Sequence, residues 1–378
     1  MTSAVNDVDL TTMTSKEREE LAKDHSTPPG VLAKLADDTR GDVRYFVAQN
    51  HNTSADVLAK LAKDDDVDVR GSITGNPSTT VAVLVKLAED KDGIVRCRVA
   101  QNPNTPGTIL VKLAEDKDEY VRKYVAQNHN TLAGALMLLA DDEYGDVRLR
   151  VAKNPNTPAH TLVQLAGDDN TLVRQLVATN TNTPIDTLVK LAGDKDEIIR
   201  IVVAENPNTP AHTLAKLAWD KDEYVRCRVA VNLNTPATVL VTLAEDKDKD
   251  VREYVVWNSN TPVKALVLLT MDKDLIVRYG AGRNPNTPKN LLSSIYNDLV
   301  QQDMLDEDFA ISIVQRNVLD QTEVLALVAL YGEKIAQTVV DNVLVEKNSL
   351  LEKVLAEYNC QVKIKPMEKK PTWQERKV

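Results

Sequence analysis

Residues 206–232 read NPNTPAHTLAKLAWDKDEYVRCRVAVN, and this stretch decides the fold because its pattern returns every 26 residues. From Arg44, steps of 26 land on Arg70, Arg96, Arg122, Arg148, Arg174, Arg200, Arg226, Arg252 and Arg278 without a miss. Asp38 steps in the same way to Asp272, Asn50 to Asn284 and Thr27 to Thr287, and leucine recurs from Leu32 and from Leu35. A fixed period of this size marks a solenoid or a closed array of stacked units. The 378 residues therefore read as one elongated repeat domain instead of two or three globular ones.

Within the repeat the apolar positions advance by three and four, the helical step, so two short helices are expected. Thr209 supplies an N-cap hydroxyl and Pro210 suits the first helical position, which opens helix A over about 210–218 with Leu214 and Leu217 on its apolar stripe. The run Asp220-Lys221-Asp222-Glu223 breaks that helix and places acids at the start of helix B, where the helix dipole favours them. Val225 and Val229 mark the buried side of helix B, and Ala230 lets the next layer approach closely. Asn232 suits a left-handed C-cap, and a proline after that asparagine, as Pro207 follows Asn206, stops the helix. Helices of about nine residues do not persist alone in water, so each must bury its stripe against its neighbours.

Composition agrees with such a stack. Apolar residues make up 43% of the chain but aromatic ones only 4%, so the core must be aliphatic. A net charge of −10 disfavours nucleic acid and anionic membranes as generic partners, because both select basic surfaces. The N-terminus MTSAVNDVDLTTM has neither the basic start nor the apolar run of a secretion signal, and no segment is long enough to span a bilayer; the expected location is the cytoplasm. Cys97 and Cys227 occupy one repeated position five periods apart, beyond disulfide reach, and together with Cys360 read as packing thiols.

An Asp–Arg pair present in every repeat reads as structure, since catalysis needs one site and a ladder needs a member per layer. Asp220, Arg226, Asn206 and Thr209 are thus assigned to the frame, with the guanidinium expected to bind carboxylates and helix-end carbonyls of adjacent layers. The pattern LxxLAxDxDxxVRxxVAxN resembles HEAT-type α-helical repeats, and with its NPNTP turn it is closer to the bacterial leucine-rich repeat variant proteins. The resemblance covers residues 26–288. It implies an all-α, right-handed α-solenoid of short helix pairs, in which the second helix of a pair can be a 3₁₀ segment. Some members carry a cysteine-ligated iron–sulfur cluster before the repeats; no cysteine precedes Cys97 here, so no cofactor and no metal is carried over.

The ends must close the stack. Residues 1–25 read as an N-terminal segment and cap, with Arg18 one period before Arg44 and Glu17 replacing the usual valine. Residues 289–359 read as a C-terminal helical cap of degenerate repeats, and 360–378, CQVKIKPMEKKPTWQERKV, as a basic flexible tail.

If recurring residues build the frame, varying ones carry recognition. Two before, one after and five after each ladder arginine share one face of helix B. In the N-terminal half this face holds Asp42, Tyr45, Gln49, Asp68, Gly71, Gly75 and Gln101, mostly polar or small. Toward the C-terminal half it holds Leu172, Ile198, Ile201, Tyr224, Val231, Trp257, Ile276 and Tyr279, joined by Cys227, Arg228, Tyr254 and Arg283. The expected function is a non-enzymatic scaffold or adaptor that takes a protein or peptide along a concave helix-B surface. The alternative is a HEAT-like nucleic-acid binder or DNA-base-acting enzyme, for which Arg98, Arg150 and Arg228 at one repeated position could form a basic strip. No glycine-rich phosphate loop, HExxH or paired nucleophile and base occurs, and the five histidines are expected to be too dispersed by the period to converge.

Overall fold

The computed structural model describes residues 8–303, 305–316 and 318–342. All regular structure among them is helical: a 3₁₀ turn, Leu10–Thr12, and twenty-five α-helices. The helices form an α-solenoid of A–B pairs in which the A helices have seven residues, as in Ala159–Leu165, and the B helices nine, as in Glu223–Val231, except Val67–Ile73 with seven. Helix B is α-helical throughout, not 3₁₀. The chain divides into two compact units, Met1–Thr213 and Leu214–Val378.

In the first unit the B helices run from Ser15–Lys23 to Glu197–Glu205, each packed on the next along its length, whereas successive A helices touch more sparsely. The second unit repeats this with the B helices Glu223–Val231, Lys249–Trp257 and Leu275–Arg283. The core is the aliphatic set expected: Leu214, Leu217, Val225, Val229 and Ala230 are all buried, as are their equivalents. A buried Leu or Val contributes roughly 1.5–3 kcal/mol, and neither helix of a pair could bury one alone.

Polar residues bind the layers. Arg226 Nε and Nη2 donate to the two carboxylate oxygens of Asp246 in the following repeat at 2.7 and 3.0 Å, while Nη1 donates to the Asp220 carbonyl at 2.9 Å. The same fork joins Arg44 to Asp64 and Arg252 to Asp272. The six-residue step from Asp to Arg is thus made through the backbone carbonyl, and each carboxylate is bound by the arginine of the preceding layer. Burial pushes the Asp272 carboxyl upward, but the Arg252 fork and the Asp274 backbone N–H outweigh it and hold it below the ordinary carboxylate range.

Two turn residues work differently from the expectation. Asn232 ends its helix in extended backbone, at φ −64° and ψ 125°, not in the left-handed region. The reason is a second ladder: Asn258 Nδ2 donates to the Ala230 and Asn232 carbonyls of the preceding repeat at 2.7 and 3.1 Å, while its Oδ1 accepts from the Asn260 N–H at 2.8 Å. Asn206 likewise donates to the Ala178 carbonyl at 2.7 Å. Thr209 does not cap helix A; its hydroxyl donates backwards to the Val203 carbonyl at 2.5 Å, closing the end of the previous helix B. The N-cap position of most A helices is instead the proline itself, as at Pro158, Pro184 and Pro236. Helix B is capped by its acid: the Asp222 carboxylate accepts from the Tyr224 and Val225 N–H groups at 3.0 and 3.2 Å.

The ends carry the same grammar. Arg18 Nε donates to Asp38 at 2.5 Å in ladder register, and Glu17 forms a capping box by accepting from the Thr14 N–H at 2.7 Å. At the other end the helices Lys289–Gln301, Glu307–Gln315, Gln321–Tyr331 and Glu333–Asn342 enclose a core around Leu292, Phe309, Ile313 and Ile335. Asp298 continues the 26-residue register from Asp272, and Arg278 Nε lies 3.1 Å from its carboxylate, off the N–H axis, as an ion pair without hydrogen-bond alignment. Arg316 then takes the carbonyls that a further repeat would occupy: it donates to Gly282 and Asn284 at 3.4 and 3.2 Å and to Thr287. One guanidinium thereby replaces two asparagines. Residues 343–359 of the expected cap, the tail 360–378 and Cys360 lie outside the described residues.

Candidate binding face of the B helices

Valines one before and three after the ladder arginine hold helix B to the core, so the residues two before and five after turn outward. In the second unit Tyr224 is 61% exposed and Trp257 51%, and Val231, Tyr254 and Ile276 are exposed as well. Arg228 lies over the Tyr254 ring, 6.0 Å from its centroid, which joins two successive B helices across their seam. In the first unit Leu172 and Ile198 are exposed and Ile201 is half-buried.

Three of the sequence-derived positions are engaged elsewhere. Cys227 is only 3% exposed and presents no surface to a partner; burial, then the nearby Asp248 and Asp250, push its thiol up to about 12. Tyr279 packs on Phe309 of the C-terminal helices, ring centroids 5.5 Å apart, and donates to Asp306 at 2.5 Å. Arg283 donates to the Tyr279 hydroxyl at 2.6 Å. These last two fasten the final repeat to the helices that follow it.

The structure also adds residues. Ile94 and Tyr120 stand exposed two before their ladder arginines, so the face of the first unit is less polar than Asp42, Asp68 and Gln101 alone indicate. Continuing the same count through Arg96 and Arg122 would have found both. Trp219, 77% exposed, and Met271 stand at the end of helix A, where other repeats carry Asp37, Glu89 or Glu115.

The histidines are not all separated. His25 and His51 come together with ring centroids 5.3 Å apart, because one period in sequence is one layer in space. Among the described residues no group of three or more His, Cys, Asp or Glu side chains is disposed to hold a metal ion, and no helix is long and apolar enough to cross a membrane.

The fold and this face define a class, the α-helical repeat proteins. The recurring unit resembles the leucine-rich repeat variant, whose family model matches residues 145–170, one full period. Among solved structures, a leucine-rich repeat variant with a novel repetitive structural motif is 24% identical over 58% of this chain and 87% of its own, with a TM-score of 0.46. An engineered protein is 18% identical over 89% of this chain and 97% of its own, with a TM-score of 0.24. Importin beta is 12% identical over 82% of this chain and 46% of its own, with a TM-score of 0.28. No curated protein matches the chain.

Proposed function

We propose that this protein is a non-enzymatic scaffold that holds a segment of a partner protein along its row of B helices. The observation that carries the reading is the outward aromatic and aliphatic set of the second unit, Tyr224, Val231, Tyr254, Trp257 and Ile276. These side chains lie on a face whose frame is already satisfied by the arginine and asparagine ladders, so their exposure serves no packing need. A nucleic-acid reading has less support: the chain carries −10 overall, and Arg228 is spread over a tyrosine ring.

The test substitutes Tyr224→Ala and Trp257→Ala together, leaving Tyr279 intact because it fastens the C-terminal helices. Val163→Ala, at an exposed position on helix A, serves as the control. Proteins retained from a lysate of the native organism by wild type and the control should be lost from the double variant, whose helical circular dichroism stays unchanged. Equal retention by all three would overturn the reading.

A further inference from the structure

The repeat whose helix B is Val67–Ile73 breaks the regularity of the B row. Its helix B has seven residues instead of nine, and Gly71 and Gly75 stand where neighbouring repeats carry Tyr45 and Gln49 or Cys97 and Gln101. The missing side chains leave a notch of about 550 Å³, bordered by Gln49, Arg98, Gln101 and Asn104. That volume lies in the range of clefts that accept small ligands.

Arg98 occupies the notch in a defined way. A Cβ built on Gly71 would meet its Nη1 at 2.9 Å, so the guanidinium lies over the bare Gly71 backbone and any side chain there would displace it. Among the described residues no carboxylate pairs with Arg98, which is the only charged group lining the notch of a chain whose net charge is −10. Asn104 departs from the asparagine ladder here: its equivalents Asn130 and Asn156 donate to carbonyls of the preceding repeat, at 2.5 Å in both cases, and the Asn104 side chain does not. A planar cationic fork flanked by amides is thus held at a cavity with no acid to satisfy it.

We infer that this notch receives the carboxylate side chain of a partner polypeptide. A guanidinium pairs with a carboxylate through two parallel N–H···O bonds. One positive charge neutralises one carboxylate, whereas a phosphate dianion would be left with surplus charge inside an acidic protein. The Gln49, Gln101 and Asn104 amides, each both donor and acceptor, match the peptide groups on either side of the acid. The inference rests on the scaffold reading only in taking the ligand to be a polypeptide. A notch that binds a free peptide stands even if Tyr224 and Trp257 prove idle.

The experiment uses the full chain labelled with ¹⁵N-arginine, the Arg98 Nε–H signal being identified by its loss in Arg98→Gln. The probes are Ac-Gly-Glu-Gly-amide, its glutamine counterpart and inorganic phosphate. The glutamate peptide should shift the signal saturably, the glutamine peptide should leave it in place, and phosphate should bind more weakly. Gly75 lies in the turn after the helix, and a Cβ there meets nothing nearer than the Ser72 carbonyl at 3.8 Å, so Gly75→Leu adds volume to the notch without a clash at Cβ and should weaken the peptide by at least about tenfold, the loss of one good charge-assisted contact. Unaltered affinity in Gly75→Leu, equal binding of the glutamine peptide or of phosphate, or no shift at all would each overturn the proposal.

Discussion

At the scale of the residue, the molecule depends on side chains that each satisfy more than one backbone group in a neighbouring layer. Asn258 holds two carbonyls and one N–H and is almost fully buried. Replacing it by alanine leaves those groups unpaired at about 1–3 kcal/mol each, so Asn258→Ala should lower stability by at least about 2 kcal/mol, read as a fall in the urea midpoint. Asn258→Asp keeps the acceptor but loses both donors, and should be no better. Equal midpoints for wild type and the alanine variant would remove this ladder from the account. These roles were only half legible in the sequence. The recurrence of Asn and Thr announced a frame, but local capping rules describe a single repeat, and the partners of Asn206 and Asn258 lie 28 residues back. The outward positions two before each arginine were legible, because a helix fixes its faces by spacing alone. The engagement of Tyr279 was not, because Phe309 and Asp306 reach it from helices beyond the repeats, and Arg283 follows because its partner is Tyr279.

At the scale of the element, the last B helix and the C-terminal helices meet at a contact that tolerates no added volume. A Cβ on Gly282 would come within 2.6 Å of Phe309 Cε2 and 3.2 Å of Ile295 Cγ2. Gly282→Ala should therefore cost about 1–3 kcal/mol and act locally, since a solenoid transmits strain mainly to nearest neighbours. Hydrogen exchange should accelerate in Lys289–Gln301 and Glu307–Gln315 while Gly41–Gln49 keeps its protection. Uniform acceleration along the chain would contradict the local account. Helix positions themselves were readable to within a residue or so: helix A was expected over 210–218 and spans Ala211–Leu217. The C-terminal helices were harder to read because the period lapses there, although Asp298 still kept it. Arg316 gave no signal, since one long side chain does the work of two short ones from a different register.

For the whole molecule, the acid ladder predicts how stability responds to pH. The carboxyls of Asp38, Asp64, Asp90, Asp116, Asp168 and Asp194 in the first unit are held below their ordinary value of 3.8, the arginine forks and backbone N–H groups outweighing burial. A carboxyl with a lower pKa folded than unfolded contributes fully above the unfolded value, and its contribution is lost as pH falls through the folded one. The urea midpoint should thus stay level with respect to these groups from neutral pH to about 5 and drop steeply below about 4. A midpoint unchanged at pH 3 would contradict it. The arginine fork has a further consequence for how such a chain can change in length. The forks of Arg44, Arg226 and Arg252 each reach 20 residues forward for an acid and six residues back for a carbonyl, as Arg226 does to Asp246 and Asp220, and the two reaches add to one period. Duplicating or excising a whole period gives every guanidinium an equivalent pair of partners. A gain or loss of any other length strands a charge in the interior, so the ladder acts as a proofreader of recombination, passing changes in copy number and rejecting shifts of phase.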